Sequence, residues 1–247
     1  MGMVMGKTPA IGGGLTPAYE VLGTRAGYEL RTYPPYVVAE VQSSSEPGSD
    51  DSSFYILAKY IGVIGAPQNK AVGGESGEAI AMTAPVVTSV PGEKIAMTAP
   101  VVTGPASSEP GSQISMTAPV VQSSSGSGAP KTMQFIMPAE YTSVSEMPVP
   151  TDSRVSLREV PELSYLVHQF SGSMGTDVDT VSEQRRVITE EAVTKDGGAF
   201  AEYVTKDAMY VLARYNPPFT LPFLRRNELW FPIPLSKEDI KAKIPTP

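Results

Sequence analysis

One histidine, His168, and no cysteine define the chemistry open to this chain. Without thiolates or paired imidazoles, the common zinc sites, thiol nucleophiles and Ser-His or Cys-His relays have no raw material. The carboxylates Glu20, Glu29, Glu40 and Glu159 fall in strand-like runs, where no partner for acid-base work can be assigned. Arg225, Arg226 and Glu228 follow Asn216-Pro217-Pro218, a pattern that reads as a turn held by charge-assisted hydrogen bonds. The expectation is therefore a protein that binds rather than an enzyme.

The elements that must position these residues follow from periodicity. Tyr19 to Leu22, Tyr28 to Arg31 and Tyr36 to Val41 are short β-rich runs broken by Gly27 and Pro34-Pro35. Phe54, Leu57, Ile61 and Ile64 then recur at the spacing of one helix face, with caps available in Asp50 to Ser53 and a stop at Gly65. A second set of strands covers Thr132 to Met137, Arg154 to Val160 and Leu163 to Phe170. A second helix presents Val178, Val181, Ile188 and Ala192, opened by Thr176 and Asp177 and ended by Gly197-Gly198. Strand-like runs at Ala208 to Arg214 and Leu229 to Ile233 close the pattern, which predicts two related α+β halves.

Composition sets the limits of this domain. The 247 residues are 41% hydrophobic and 18% charged, enough for one core, while 24 Pro and 22 Gly assign much of the chain to turns. Residues 1–15 read as a flexible tail, 16–235 as the domain and 236–247 as a C-terminal tail. A net charge of -7 repels phosphate backbones, which argues against nucleic-acid partners. No run reaches the ~18 apolar residues of a membrane span, and residues 1–15 resemble neither a signal nor a transit peptide. A cytoplasmic location is the default expectation, with an organelle or larger assembly as the alternative.

Between the two halves an octapeptide is written three times: Ile80 to Val87, Ile95 to Val102 without change, and Ile114 to Val121 with Ser115 in place of Ala. A turn at Pro91-Gly92 would let the first two copies pair as a ribbon, Met82 facing Val101 and Ala84 facing Ala99. The reading is a repeat and linker insertion at about 88–129, tolerated on the surface or serving to contact a protein partner through residues 80–121.

Tyr19-Glu20-Val21, Tyr28 to Tyr33, the Ile-Ala-Met-Thr-Ala-Pro-Val-Val block, Phe135 to Pro138, Phe170-Ser171-Gly172, and Ala213 to Phe219 through Arg225 to Glu228 stand in an order that resembles the SOUL/haem-binding proteins. The duplicated block is most similar to the plant and algal branch. The resemblance implies a distorted antiparallel β-barrel of two similar halves, each with one packed helix. It also implies reversible binding of haem or another porphyrin near the first helix.

A tetrapyrrole needs a flat apolar cleft, cations for its carboxylates and, optionally, an axial ligand to iron. With the resemblance in place, the candidates are Phe54, Leu57, Ala58, Ile61 and Ile64 for the ring and Lys59 and Lys70 for the carboxylates, although a stripe at this spacing serves core packing by default. His168 alternates with Leu166 and Phe170 and is either a packing residue or the axial ligand, with Tyr60, Met82, Met97 and Met116 as weaker ligands. The function expected is a haem carrier or buffer. The alternative is an interaction module that keeps the fold and docks through the repeat with weak or no tetrapyrrole binding.

Overall fold

The computed structural model describes residues 16–43, 49–74, 76–90, 131–174, 178–216 and 220–244. In chain order these form β1 (Glu20–Arg25), β2 (Tyr28–Tyr33), β3 (Tyr36–Ser43), α1 (Ser49–Tyr60), β4 (Asn69–Lys70), β5 (Val86–Val90), β6 (Lys131–Ile136), β7 (Val149–Pro150), β8 (Ser156–Val160), β9 (Leu163–Phe170), α2 (Val178–Lys195), β10 (Tyr210–Arg214), β11 (Asn227–Ile233) and α3 (Lys237–Lys243). Nine strands make one antiparallel sheet in the order β1-β2-β9-β11-β10-β5-β6-β3-β8, and β4 pairs separately with β7. The β1–β2 turn needs a positive φ, supplied by Gly27 at 101°. No helix among the described residues is long and apolar enough to cross a membrane.

The order of the sheet encodes two similar halves. Strands β2 and β3, helix α1 and strands β5 and β6 make one strand-strand-helix-strand-strand unit, and β8, β9, α2, β10 and β11 make the other. Read from either end of the eight strands they share, the order is the same once the halves are exchanged. Each half lends its first strand to the other: β2 lies on β9 and β8 lies on β3. The halves also meet at β5 and β10, where Val86 pairs with Arg214 and Val90 with Tyr210.

Three apolar clusters account for the curl of the sheet. Alternate residues of β3, Val37, Ala39 and Val41, face Leu57 and Ala58 of α1 and Ile61 just past its end. Leu30, Leu166, Leu229 and Phe231 face α2 through Val193. The opposite sheet faces meet in a third cluster with Tyr33 of β2, Val38 of β3, Val160 of β8, Tyr165 of β9 and Trp230 of β11. Strands from the two ends of the sheet touch there, so the sheet wraps around it as a half-barrel. Tyr33 stacks on Trp230 at 4.7 Å between ring centroids, and each such side chain taken fully from water contributes roughly 1.5–3 kcal/mol.

Three expectations from the sequence are corrected. On α2 the buried stripe is Ser182, Arg186, Thr189 and Val193, while Ile188 is exposed. Arg186 lies inside because Glu183, Glu190 and the Val204 carbonyl satisfy its guanidinium. The stretch taken as a C-terminal tail contains α3, capped by Ser236 and anchored by fully buried Ile240. The first octapeptide runs into β5 at Val86 and Val87, where β10 and β6 already take both edges, so these two residues cannot pair with the second copy outside the barrel. Residues 1–15 and the copies at 95–102 and 114–121, with Met97 and Met116, lie outside the described residues.

Candidate functional site

Helix α1 divides the candidate residues between two environments. Leu57, Ala58 and Ile61 are at most 1% exposed and lie against β3 and β6, with Phe54 and Ile64 half-buried at the margin of the same cluster. Phe54 meets Phe135 at 5.5 Å. This stripe is core: a flat ligand could reach it only by lifting the helix from the sheet. Tyr60 is likewise committed, its hydroxyl donating to the Pro148 carbonyl at 2.8 Å.

The outward side of α1 is different. Ser52, Tyr55, Ile56 and Lys59 follow one another at helical spacing and form one wall of an open groove of about 480 Å3, completed by Gln68, Asp152 and Arg154. Tyr55 is more than half exposed. Arg154 donates to both Asp152 oxygens, at 3.0 and 2.6 Å. These hydrogen bonds, with Lys59 nearby, bring the Asp152 carboxyl down to about 2. The groove thus offers an aromatic face, an aliphatic edge, the Lys59 cation and an Arg154–Asp152 ion pair. Lys59 is the one candidate from the sequence that lines it; Lys70 is exposed on β4, paired in register with Val149.

The groove was half visible in the sequence. Residues 52, 55, 56 and 59 share a helix face, but that face is not apolar overall and therefore raised no signal. Asp152 and Arg154 join it from a loop more than ninety positions away, held by the β4–β7 pairing and by the Thr151 amide, which donates to Gln68 O at 3.1 Å.

His168 lies elsewhere. Its ring is packed on the α2 side of the sheet, stacked with Phe170 at 5.8 Å, while the Arg185 guanidinium covers the other ring at 4.8 Å. Its Nδ1 is 2.7 Å from the Gly27 carbonyl, which fixes Nδ1 as the protonated donor. Nε2 is buried with no hydrogen-bond partner among the described residues. Burial pushes the imidazole below its ordinary value, with Arg185 adding to the fall and the Gly27 carbonyl opposing it. The histidine is oriented by Gly27 and packs in the α2 half, on the sheet face that α1 also covers, and it does not line the α1 groove. Among the described residues no group of three or more His, Cys, Asp or Glu side chains could hold a metal ion. Met82 is about one-third exposed at the rim of the sheet.

The C-terminal charges are structural in a way only partly anticipated. Glu228 is fully buried and receives Arg226 at 2.6 Å, Arg31 at 3.0 Å, and the Tyr215 hydroxyl and Trp230 indole at 2.7 Å each. Arg225 instead closes its own loop on the Thr220 carbonyl at 2.7 Å.

Comparison with known proteins bears on this arrangement. No curated protein matches the chain. Among solved structures it is similar to the C-terminal domain of EcmrR, at 10% identity over 83% of this chain and 96% of that one, with a TM-score of 0.43. It is also similar to EcmrR in its DNA complex, at 7% identity and a TM-score of 0.46 over 83% of this chain; the match spans 56% of that longer chain. An uncharacterized conserved protein from Listeria innocua matches at 14% identity over 85% of this chain and 93% of that one, with a TM-score of 0.41. The family described as SOUL heme-binding protein matches residues 15–93 and 89–232. Spanning both halves of the curled sheet and both packed helices, that match means that the chain belongs to the SOUL heme-binding protein family.

Proposed function

We propose that the protein is a reversible carrier or buffer of haem or a related tetrapyrrole, held on the outer face of α1. The observation that carries this reading is the groove in which Tyr55 and Ile56 stand beside Lys59 and Arg154. Its volume lies within the range of small-molecule sites. A planar ring against Tyr55 and Ile56 would place an anionic carboxylate toward Lys59, and a second could be received by Arg154 only in competition with Asp152. When haem is bound it brings an iron able to take an axial ligand; the groove residues supply apolar contact and charge.

The reading makes the macrocycle and its carboxylates, not the metal, the recognised features. Titration with haemin and with metal-free protoporphyrin, followed by absorbance, tests it. Both are expected to bind with similar affinity, and Lys59→Glu is expected to weaken both. Binding of haemin alone would point to iron ligation, and binding of neither would favour the interaction module. His168→Ala is expected to leave the Soret band of the haem complex in place.

A further inference from the structure

Strand β5 joins the two halves, and the segment that leads into it, through its first three residues, is the one the chain repeats. Aligned on the strand's place in the sheet, the repetition is longer than the octapeptide: residues 77–88 and 92–103 differ only at Ala79, replaced by Lys94. Residues 111–122 differ from the first copy at four positions, with Ser112, Gln113, Ser115 and Gln122 replacing Glu78, Ala79, Ala81 and Thr88.

The place that β5 occupies explains most of what is kept. A Cβ on Gly77 would lie 2.8 Å from the Pro67 carbonyl oxygen, and each copy has glycine there. Ile80, Thr83, Ala84 and Val87 are at most 9% exposed, and all recur unchanged. Thr83 donates its hydroxyl to the Ile136 carbonyl. Ala79 and Ala81, where the copies vary, are exposed. Asn69 clamps position 78 through the backbone, accepting from Glu78 N at 2.7 Å and donating to Glu78 O at 2.8 Å, contacts that any residue can make. The Tyr141 hydroxyl donates to the Glu78 carboxylate at 3.1 Å, and Glu93 supplies the same group. Met82 is exposed and is nonetheless unchanged in all three.

We propose that residues 92–103 are an alternative occupant of the β5 slot, exchanging with residues 77–88 within one chain, and that residues 111–122 are a poorer third. The connections allow it: with the second copy in place, the link from β4 grows by 15 residues and residues 104–130 remain to return to β6. Tethering makes the competition intramolecular and gives the spare copy a high effective concentration. The first copy holds the advantage at its end, where Ser89 and Val90 continue the ladder to Val211 and Tyr210. The second copy has Gly104 and Pro105 there, and proline brings no N–H to a ladder. Exchange would also lengthen the connection that follows Gln68, a groove residue, so the slot and the groove share a boundary.

Because the chain has no cysteine, engineered pairs report the occupant directly. Val87 and Gln134 are cross-strand partners. On mild oxidation Val87→Cys with Gln134→Cys is expected to form the major intramolecular disulfide. Val102→Cys with Gln134→Cys is expected to form a minor one that rises several-fold when Val87→Asp disables the first copy. Val87→Asp alone should retain a cooperative melt, whereas Val87→Asp, Val102→Asp and Val121→Asp together should not fold. Absence of the Val102→Cys disulfide in both backgrounds overturns the proposal. So does a Val87→Asp protein as unfolded as the triple variant, or a disulfide formed only between chains.

Discussion

Arg31 Nη1 donates to Glu228 Oε1 across 3.0 Å, joining β2 of one half to β11 of the other with both side chains shut away from water. Arg31 also binds Glu29 at 2.7 Å and lies over the Tyr19 ring at 4.4 Å. A charge at such depth is tolerated because the Glu228 carboxylate also receives Arg226, the Tyr215 hydroxyl and the Trp230 indole. Its removal is costlier than its presence is stabilising, since the partner is left charged and dry.

Glu228→Gln is accordingly expected to destabilise the fold by about 3–5 kcal/mol, read from denaturant midpoints. Burial alone would raise the Glu228 carboxyl, but Arg31 and Arg226 outweigh it and hold it below its ordinary 4.5. A depressed carboxylate contributes stability that is complete above that value and is lost as pH falls through the lower, folded one. Acid unfolding below pH 4.5 should therefore lose steepness in the Gln variant.

His168 titrates in the opposite chemical sense with the same outcome on acidification. Its folded value lies below the ordinary 6.5, so at intermediate pH the unfolded chain binds the extra proton. Stability is full above 6.5 and declines as pH falls from 6.5 toward the folded value. As His168 is the only histidine, His168→Gln should flatten the melting temperature across that window, and a slope that persists would assign it to another group.

The two faces of α1 separate folding from binding. Leu57→Asp places a charge in a site with no exposure and should abolish the cooperative transition. Lys59→Glu, on the exposed face, should change stability by no more than about 0.5 kcal/mol while weakening haemin and protoporphyrin about tenfold, equivalent to ~1.4 kcal/mol. Circular dichroism and absorbance titration distinguish the two.

Asn69 carries three bonds in a site 3% exposed: to the Tyr60 carbonyl at 2.7 Å and to both backbone groups of Glu78. Asn69→Ala leaves those groups unmatched and is expected to cost about 3 kcal/mol. Chemical denaturation measures it directly.

Much of the scaffold was legible because periodicity is local. The spacing of Phe54 and Leu57 placed α1, although the helix ends at Tyr60 rather than running through Ile61 and Ile64 to Gly65, and the alternation of Leu166, His168 and Phe170 placed β9. What stayed hidden depends on distance in sequence. Arg31 and Glu228 lie 197 positions apart, and neither advertises the other. Arg186 was unreadable as an inward residue because its burial depends on Glu183, Glu190 and the Val204 carbonyl. The groove, in turn, needs Arg154 brought to Tyr55 by a two-stranded sheet, two residues in each strand, that no pattern foretells.

Each half lends its leading strand to the other, β2 to β9 and β8 to β3, so the linker between them is not what keeps them together. A protease that nicks the backbone at 151–155 would leave a single noncovalent particle, because either piece, on leaving, would strip a strand from its neighbour's sheet. Recombining the separated pieces should accordingly restore the fold only when both are present, each acting as the template on which the other closes.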